Sequence, residues 1–261
     1  GVTFAAGLAT RGVRPIVTIY STFLQRGYDN IIHDAALQKL PVVFAMDRAG
    51  LVGEDGETHM GLYDIPYMLT VPNMTVTAPK DGTELLGLLR AAVDHEEGPF
   101  CFRYPRDVTP DVPPAFADVK AVPYATWEVE RRGRDLAILA IGTMVQPALD
   151  AAAQLAAEGL EITVVNCRYI KPYDAATLDA ILAEHTQLLM VEEGVVTNGF
   201  GAYMSAIVQR LAPQVRTAVH GVPDRIIYAA PRKKQLAMLG LDAAGIAERV
   251  RALRNQEAFA N

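Results

Sequence analysis

Residues 19–59 read IYSTFLQRGYDNIIHDAALQKLPVVFAMDRAGLVGEDGETH. Apolar runs end at Tyr20 and Met46, and the residues between them have helical spacing, so this segment predicts a buried strand, a helix and a second buried strand. In an open parallel sheet, the side chains that follow neighbouring strands meet in a crevice at the carboxyl edge, where ligands bind. The segment therefore predicts both a parallel sheet and the place of a binding site.

The side chains around the predicted crevice suit an anionic substrate and a heterocyclic cofactor. Arg26 and Arg48 carry planar guanidinium groups, which bind phosphate or carboxylate well. Tyr20 and Phe23 offer flat apolar faces on which an aromatic ring can stack. His59 follows the acidic loop and is the candidate for proton transfer near neutral pH.

Helical and strand-like segments alternate along the chain, which predicts an α/β protein of two doubly wound domains, each a mostly parallel sheet with helices on both faces. The first domain is expected at 1–108, a proline-rich linker at 109–125 and the second domain at 126–261. Strands are predicted at 16–20, 42–46, 74–77, 100–103, 136–141, 162–166, 187–191 and 215–219. Helices are predicted at 3–11, 24–37, 81–95, 145–157, 174–184 and 200–211.

The composition is that of a globular protein. The 261 residues are 51% hydrophobic and carry a net charge of −6, which leaves no basic footprint for nucleic acid. The sequence has no apolar run near the ~18 residues that span a bilayer, so we expect no membrane partner. Cys101 and Cys167 lie in strand-like runs and are expected to be small buried side chains. A reducing cytoplasm is the simplest location for such a chain.

Several longer motifs resemble the second half of the 1-deoxy-D-xylulose-5-phosphate synthase family. They are YSTFLQR at 20–26, HDAALQKLPVVFAMDRAG at 33–50, GEDGETH at 53–59, RYPR at 103–106, VEEGVVTNGFG at 191–201 and GVPD at 221–224. The resemblance implies a homodimeric enzyme of isoprenoid, thiamine and pyridoxol biosynthesis that uses thiamine diphosphate and Mg²⁺. Such an enzyme joins pyruvate to D-glyceraldehyde 3-phosphate, giving 1-deoxy-D-xylulose 5-phosphate and carbon dioxide. It also implies a pyrimidine-binding domain followed by a transketolase C-terminal domain.

The same resemblance assigns roles to the crevice residues. His59 is expected to be catalytic, Phe23 and Arg26 to bind the cofactor, and Tyr20, Arg48, Asp55 and Arg106 to bind substrate. The family holds the diphosphate and Mg²⁺ on a preceding domain, so we expect no metal site made by this chain alone. A family glutamate that contacts the cofactor lies just before the position of Gly1. We therefore expect a fragment that is inactive without its N-terminal half.

Alternative functions remain at this stage. Transketolase shares the GEDG-x-TH loop, and the beta subunits of 2-oxo-acid dehydrogenases are more distant relatives, but the YSTFLQR, DRAG and RYPR runs favour the synthase. A different alternative is an inactive fragment or binding module.

Four local expectations accompany this interpretation. Arg103 is expected to form a structural ion pair and Arg106 to be functional, although their spacing also permits the reverse. Asp107 stands where the family usually has glycine, and its carboxylate is expected to weaken phosphate binding. His33 is expected to be a core or interface histidine. The Asn-Gly-Phe-Gly run at 198–201 favours tight packing over an anion site.

Overall fold

The computed structural model describes residues 1–255, which form ten strands and ten α-helices. The strands are β1 Ile16–Tyr20, β2 Val43–Asp47, β3 Thr75–Thr77, β4 Phe100–Arg103, β5 Glu128–Arg131, β6 Leu136–Ala140, β7 Ile162–Asn166, β8 Tyr169–Lys171, β9 Gln187–Val195 and β10 Arg216–Val222. The helices are α1 Val2–Ala9, α2 Ser21–Leu24, α3 Tyr28–Asn30, α4 Asp64–Leu69, α5 Gly82–Asp94, α6 Val145–Ala156, α7 Ala175–Glu184, α8 Phe200–Leu211, α9 Arg232–Met238 and α10 Ala243–Arg254.

The first sheet has the order β1-β2-β4-β3-β8. Its first four strands are parallel, and β8 pairs with β3 in the antiparallel direction. The expectation that the strand at 16–20 is buried is wrong, because β1 lies at the edge of the sheet and alternate side chains are exposed, with Ile16 46% accessible. The second predicted strand, β2, is buried as expected.

The second sheet has the order β10-β9-β6-β7-β5, in which only β5 is antiparallel. Two mostly parallel sheets with intervening helices confirm the predicted α/β class. The predicted helix at 24–37 is helical but irregular: a 3₁₀ turn at Gln25–Gly27 precedes α3, and a π-helical segment follows at Ile31–Ala36. No helix among residues 1–255 is both long and apolar enough to cross a membrane.

The two halves of the chain share a hydrophobic core. One buried cluster contains Phe44 and Phe100 of the first sheet together with Leu139 and Met190 of the second. Strand β8 extends this sharing, since it follows β7 in the chain yet completes the first sheet. Trp127 supports this strand by donating its indole N–H to the Tyr169 carbonyl at 2.7 Å. The relative orientation of the two sheets is therefore fixed by packing rather than by the connecting segment alone.

The segment between β4 and β5 has a single 3₁₀ turn, Phe116–Asp118, as its regular structure. Hydrogen bonds attach this segment to the start of α5. The Asp111 carboxylate accepts hydrogen bonds from the backbone N–H groups of Gly82 at 3.0 Å and Thr83 at 2.8 Å, at the start of α5. Against the opposing effect of burial, hydrogen bonds from the Thr109 and Thr83 hydroxyl groups, together with these two backbone bonds, hold the pKa of Asp111 well below its usual range.

Candidate active site

The candidate site lies at the carboxyl ends of three neighbouring strands. Because β1, β2 and β4 are adjacent and parallel, the segments that follow them meet at one edge of the sheet. The register pairs Tyr20 at the end of β1 with Asp47 at the end of β2. Residues 20–23, 47–59 and 104–107 therefore converge, as the sequence predicts.

Aromatic rings form one wall of the site. The rings of Tyr20 and Phe23 stack with centroids 5.4 Å apart, and the His59 ring meets Phe23 edge-on at 5.3 Å. The Arg48 guanidinium lies over the other ring, with its Cζ 4.3 Å from the Tyr20 centroid. Phe23 remains 39% exposed. It therefore still has surface on which a planar ring can stack.

Two arginines and one carboxylate form the polar wall. Asp55 accepts a hydrogen bond from Arg48 through Oδ2 and from Arg106 Nη1 through Oδ1, the latter at 2.6 Å. Three charged groups thus leave a net charge of +1. The Arg106 side chain is 58% exposed, so most of its N–H donors face solvent. This arrangement can bind an anion such as a phosphate.

The backbone of Arg48 is unusual. Its φ is +55°, a left-handed conformation that residues other than glycine seldom adopt. The Asp47 carboxylate accepts the Arg48 N–H at 2.7 Å. Such local strain is often found at functional sites, where surrounding contacts maintain it.

His59 ends a short 3₁₀ turn, Glu57–His59. Its Nδ1 lies 2.9 Å from the Thr58 hydroxyl, and the Thr22 hydroxyl donates to the Thr58 carbonyl at 3.4 Å. Among residues 1–255, no group forms a hydrogen bond with the other ring nitrogen, Nε2. That nitrogen is therefore free to exchange a proton with a ligand.

One predicted residue does not join the others. Arg26 lies in the 3₁₀ turn Gln25–Gly27, is exposed, and makes no hydrogen bond or ion pair with the described part of the chain. The other six predicted residues are linked through direct contacts: Tyr20, Phe23, Arg48, Asp55, His59 and Arg106. The roles of all seven residues in binding and catalysis stay predictions.

The two arginines of RYPR have different environments. Arg103 is buried and pairs with the buried Asp64 at 2.8 Å; it also donates to the Glu193 carbonyl at 3.1 Å. The structure thus confirms that Arg103 is the structural partner. Asp107 forms an ion pair with Arg232 of α9. Its carboxylate is therefore engaged by the second half of the chain.

The sequence reasoning missed Glu192 and Glu193, two buried carboxyl groups in β9. The available signal was a Glu-Glu pair inside an otherwise apolar strand, since acidic residues are rarely buried without partners. Glu193 Oε1 accepts from the Leu51 backbone N–H and from Arg232 Nε, both at 2.9 Å. Glu193 therefore connects α9 to the segment that carries Asp55 and His59.

Glu192 binds the N-terminal end of α8 through its carboxylate. Its carboxylate accepts the backbone N–H groups of Phe200 at 2.9 Å and Gly201 at 2.8 Å. Burial raises the pKa of Glu192 to about 7 although these two hydrogen bonds oppose the rise.

The Asn-Gly-Phe-Gly run packs tightly against β10. A Cβ on Gly201 would lie 2.3 Å from Val219 Cγ1. The packing interpretation of the Asn-Gly-Phe-Gly run is confirmed.

His33 is 74% exposed and pairs with Asp34 at 2.9 Å, so it is not a core histidine. Both Cys101 and Cys167 are buried, as expected, and burial raises the pKa of each thiol. Within residues 1–255, no group of three or more His, Cys, Asp or Glu side chains is placed to hold a metal ion.

Two protein-family models match this chain. The transketolase pyrimidine-binding domain matches residues 1–111, and the transketolase C-terminal domain matches residues 125–246. The chain therefore belongs to the transketolase family and contains these two domains in this order. A solved structure entitled "Split gene transketolase, inactive beta4 tetramer" superposes with a TM-score of 0.85 at 28% identity, covering 95% of this chain and 78% of the other.

Within that family, the curated relatives are more specific in name. The 1-deoxy-D-xylulose-5-phosphate synthase 1 of Geobacter sulfurreducens is 46% identical over 94% of this chain and 38% of its own length. The synthase of Acidovorax ebreus is 47% identical, covering 99% of this chain and 41% of its own length. That of a Synechococcus strain is 45% identical over 96% and 39%. The chain thus spans about two fifths of the length of these relatives.

Proposed function

We propose that this chain is the pyrimidine-binding and C-terminal part of a thiamine-diphosphate-dependent 1-deoxy-D-xylulose-5-phosphate synthase. The reaction joins pyruvate to D-glyceraldehyde 3-phosphate with release of carbon dioxide. The observation that carries the proposal is the cluster of Arg48, Asp55 and Arg106 beside His59 and an exposed aromatic face, in a chain about 46% identical to synthases of that name.

The aromatic wall suits the cofactor. Phe23 offers its partly exposed face to the aminopyrimidine ring, and stacking of two aromatic rings is favourable in an offset arrangement. The Tyr20 ring stacks on Phe23 and the Arg48 guanidinium lies over the Tyr20 ring, so both support the position of the Phe23 ring. Arg26, exposed nearby, adds a positive charge to the cofactor side. When bound, thiamine diphosphate supplies the electron sink for breaking and forming carbon–carbon bonds.

The polar wall suits the triose phosphate. Arg48 and Arg106 bind the phosphate group, since a guanidinium keeps its charge and matches the geometry of phosphate oxygens. Asp55 holds the two arginines in place through one hydrogen bond to each. His59 Nε2 moves a proton to or from the oxygen of the bound carbonyl or hydroxyl group.

The proposed enzyme needs residues beyond this chain. The relatives are about two and a half times as long, so we assign the diphosphate and Mg²⁺ to a further domain of the complete protein. A homodimer in the cytoplasm is part of the same proposal. The chain alone is proposed to be inactive, in keeping with the related structure whose title describes an inactive tetramer.

A comparison of donors tests the proposal. The complete enzyme, with thiamine diphosphate, Mg²⁺ and glyceraldehyde 3-phosphate, should release carbon dioxide from pyruvate and should not accept a ketose phosphate such as xylulose 5-phosphate as donor. Transketolase is the second candidate, because the superposed structure carries that name. Turnover of the ketose phosphate without turnover of pyruvate would establish transketolase and refute the synthase.

A further inference from the structure

We infer that the second domain positions the catalytic loop, and that Gln235 is the principal positioning residue. The catalytic loop is defined here as residues 50–59, which carry Asp55 and His59. The inference rests on the proposed function for its consequence in catalysis. It gives the C-terminal domain a role in holding the site.

Gln235 is buried, with 2% exposure, in α9. Its side-chain Oε1 accepts the backbone N–H of Gly53 at 3.1 Å, and its Nε2 donates to the Tyr228 carbonyl at 2.9 Å. Only one orientation of the amide satisfies both partners, because one is a donor and the other an acceptor. The side chain therefore joins the catalytic loop to the second domain with a defined geometry.

Gly53 itself is pressed against the second domain. Its φ is +64°, and a Cβ at this position would lie 3.2 Å from the backbone nitrogen of Arg232 and 3.4 Å from the Ala230 carbonyl oxygen. Glycine is needed here both for the left-handed backbone and for the close approach. The first turn of the loop is therefore built to fit α9 and the residues before it.

Two further contacts hold the loop from the same side. Before Gly53, the Leu51 N–H donates to Glu193, which is itself paired with Arg232. After Gly53, the Glu57 carboxylate accepts the Ala229 N–H at 3.2 Å. Loop positions 51, 53 and 57 are thus each bound to the second domain.

These contacts alternate with the functional side chains. Asp55 lies between the contacts at 53 and 57, and His59 lies two residues beyond the last one. A loop of ten residues held at three points has little freedom to shift either side chain. Small displacements of a catalytic group reduce turnover steeply, so the contacts matter for rate as well as for folding.

Hydrogen exchange of this chain tests the inference without reference to activity. Gln235→Met keeps the length of the side chain but removes both hydrogen bonds and leaves the Gly53 N–H without its partner. We expect amides at 51–59 to exchange about tenfold faster, with β9 and β10 unchanged. Gln154→Met, at an exposed glutamine of α6, is the matched control and should change neither region.

Activity of the complete enzyme gives the second readout. Gln235→Met should lower kcat about tenfold through misplaced His59, while the KM for pyruvate, which has no phosphate for Arg48 and Arg106 to bind, changes less than about threefold. A residue with only a structural role would reduce the amount of folded enzyme and leave kcat per folded molecule unchanged.

The outcomes are separable. Wild-type exchange at 51–59, or an equal acceleration throughout the chain, would overturn the inference whatever the enzyme's activity. An inactive unmutated enzyme would refute the proposed function and leave the exchange result standing. If Gln235→Met does not fold, Glu57→Ala removes the exposed contact instead. It should accelerate amides at 57–59, and wild-type exchange there would reject the inference.

Discussion

Asp55 organises the charge of the candidate site. Its carboxylate bridges Arg48 and Arg106, which would otherwise repel each other, and so leaves one positive charge for a ligand. Arg48 is only 19% exposed and also packs on Tyr20, whereas Arg106 is largely exposed. The first arginine is therefore held within the cluster, and the second keeps N–H donors exposed to solvent.

We predict that His59→Ala lowers kcat of the complete enzyme by about 10²-fold or more, because a positioned proton-transfer group contributes about 10²–10⁴-fold. His33→Ala, at an exposed histidine, is the control and should retain wild-type kcat. Steady-state kinetics with pyruvate and glyceraldehyde 3-phosphate measure the effect. Near-normal kcat in His59→Ala would remove this residue from the chemistry.

Arg106→Ala should act on binding instead. Loss of a hydrogen bond to a charged group costs about 1.5–3 kcal/mol, which corresponds to about a tenfold or larger rise in the KM for glyceraldehyde 3-phosphate. The KM for pyruvate, which has no phosphate, should stay within about twofold. Arg11→Ala, at an exposed arginine outside the site, serves as control. An unchanged KM for the aldehyde in Arg106→Ala would contradict the phosphate role.

At the scale of elements, α8 can approach β10 closely because residue 201 is glycine, which has no side chain. A Cβ on Gly201 would meet Val219 far inside van der Waals distance. We predict that Gly201→Ala lowers the free energy of unfolding by about 1–3 kcal/mol, as overpacking usually does. Gly7→Ala in α1, where a Cβ meets nothing within 4 Å, should instead be neutral or stabilising by up to about 1 kcal/mol.

Urea unfolding of the two alanine variants decides this prediction. The same substitution is made in two helices, so helix propensity alone would move both values in the same direction. Equal changes in the two variants would show that the Gly201 contact has no special weight.

Glu192, which caps α8, should make stability depend on pH. Its pKa is 4.5 in the unfolded chain and about 7 in the folded one, so the folded state holds a proton that the unfolded state releases. Stability from this group is present below pH 4.5 and is lost as pH rises to about 7, by about 3 kcal/mol. Asp64 and Arg103 are the charged side chains that act on it.

Comparison with Glu192→Gln isolates this contribution, since other groups titrate in the same range. We predict that the variant gains about 3 kcal/mol relative to the wild type between pH 4.5 and pH 7, measured by urea unfolding. Glu248→Gln, at an exposed carboxyl, is the control with the same change of charge. Parallel stability curves for wild type and Glu192→Gln would show that the carboxyl does not hold its proton on folding.

The sequence was a good guide to the longer elements. β1, β4, β7 and α8 have the predicted bounds, because their apolar patterns extend over four or more residues between clear breaks. β5 was not predicted because three of its four residues, Glu128–Arg131, are charged, and the three-residue β8 was not predicted either. β9 was predicted too short because two glutamates interrupt its apolar run. The buried Glu193 is bound by Leu51 and Arg232, which are distant in sequence, and the buried Glu192 is bound by the start of α8.

At the scale of the whole molecule, the second domain contributes to both the fold and the site. Its strand β8 completes the first sheet, and its buried residues share a hydrophobic core with that sheet. Its Arg232 also pairs with Asp107, so this carboxylate is held by a second-domain guanidinium. Motifs indicated which residues surround the crevice, but these long-range contacts could not be read from spacing.

The most direct test of the account is to identify the product by ¹³C NMR. The complete enzyme is supplied with [2-¹³C]pyruvate, glyceraldehyde 3-phosphate, thiamine diphosphate and Mg²⁺. The account predicts that the label appears as the ketone carbon of 1-deoxy-D-xylulose 5-phosphate, joined to the former aldehyde carbon, with one carbon dioxide released per product. Recovery of the label only in unreacted pyruvate or in a two-carbon product would contradict it.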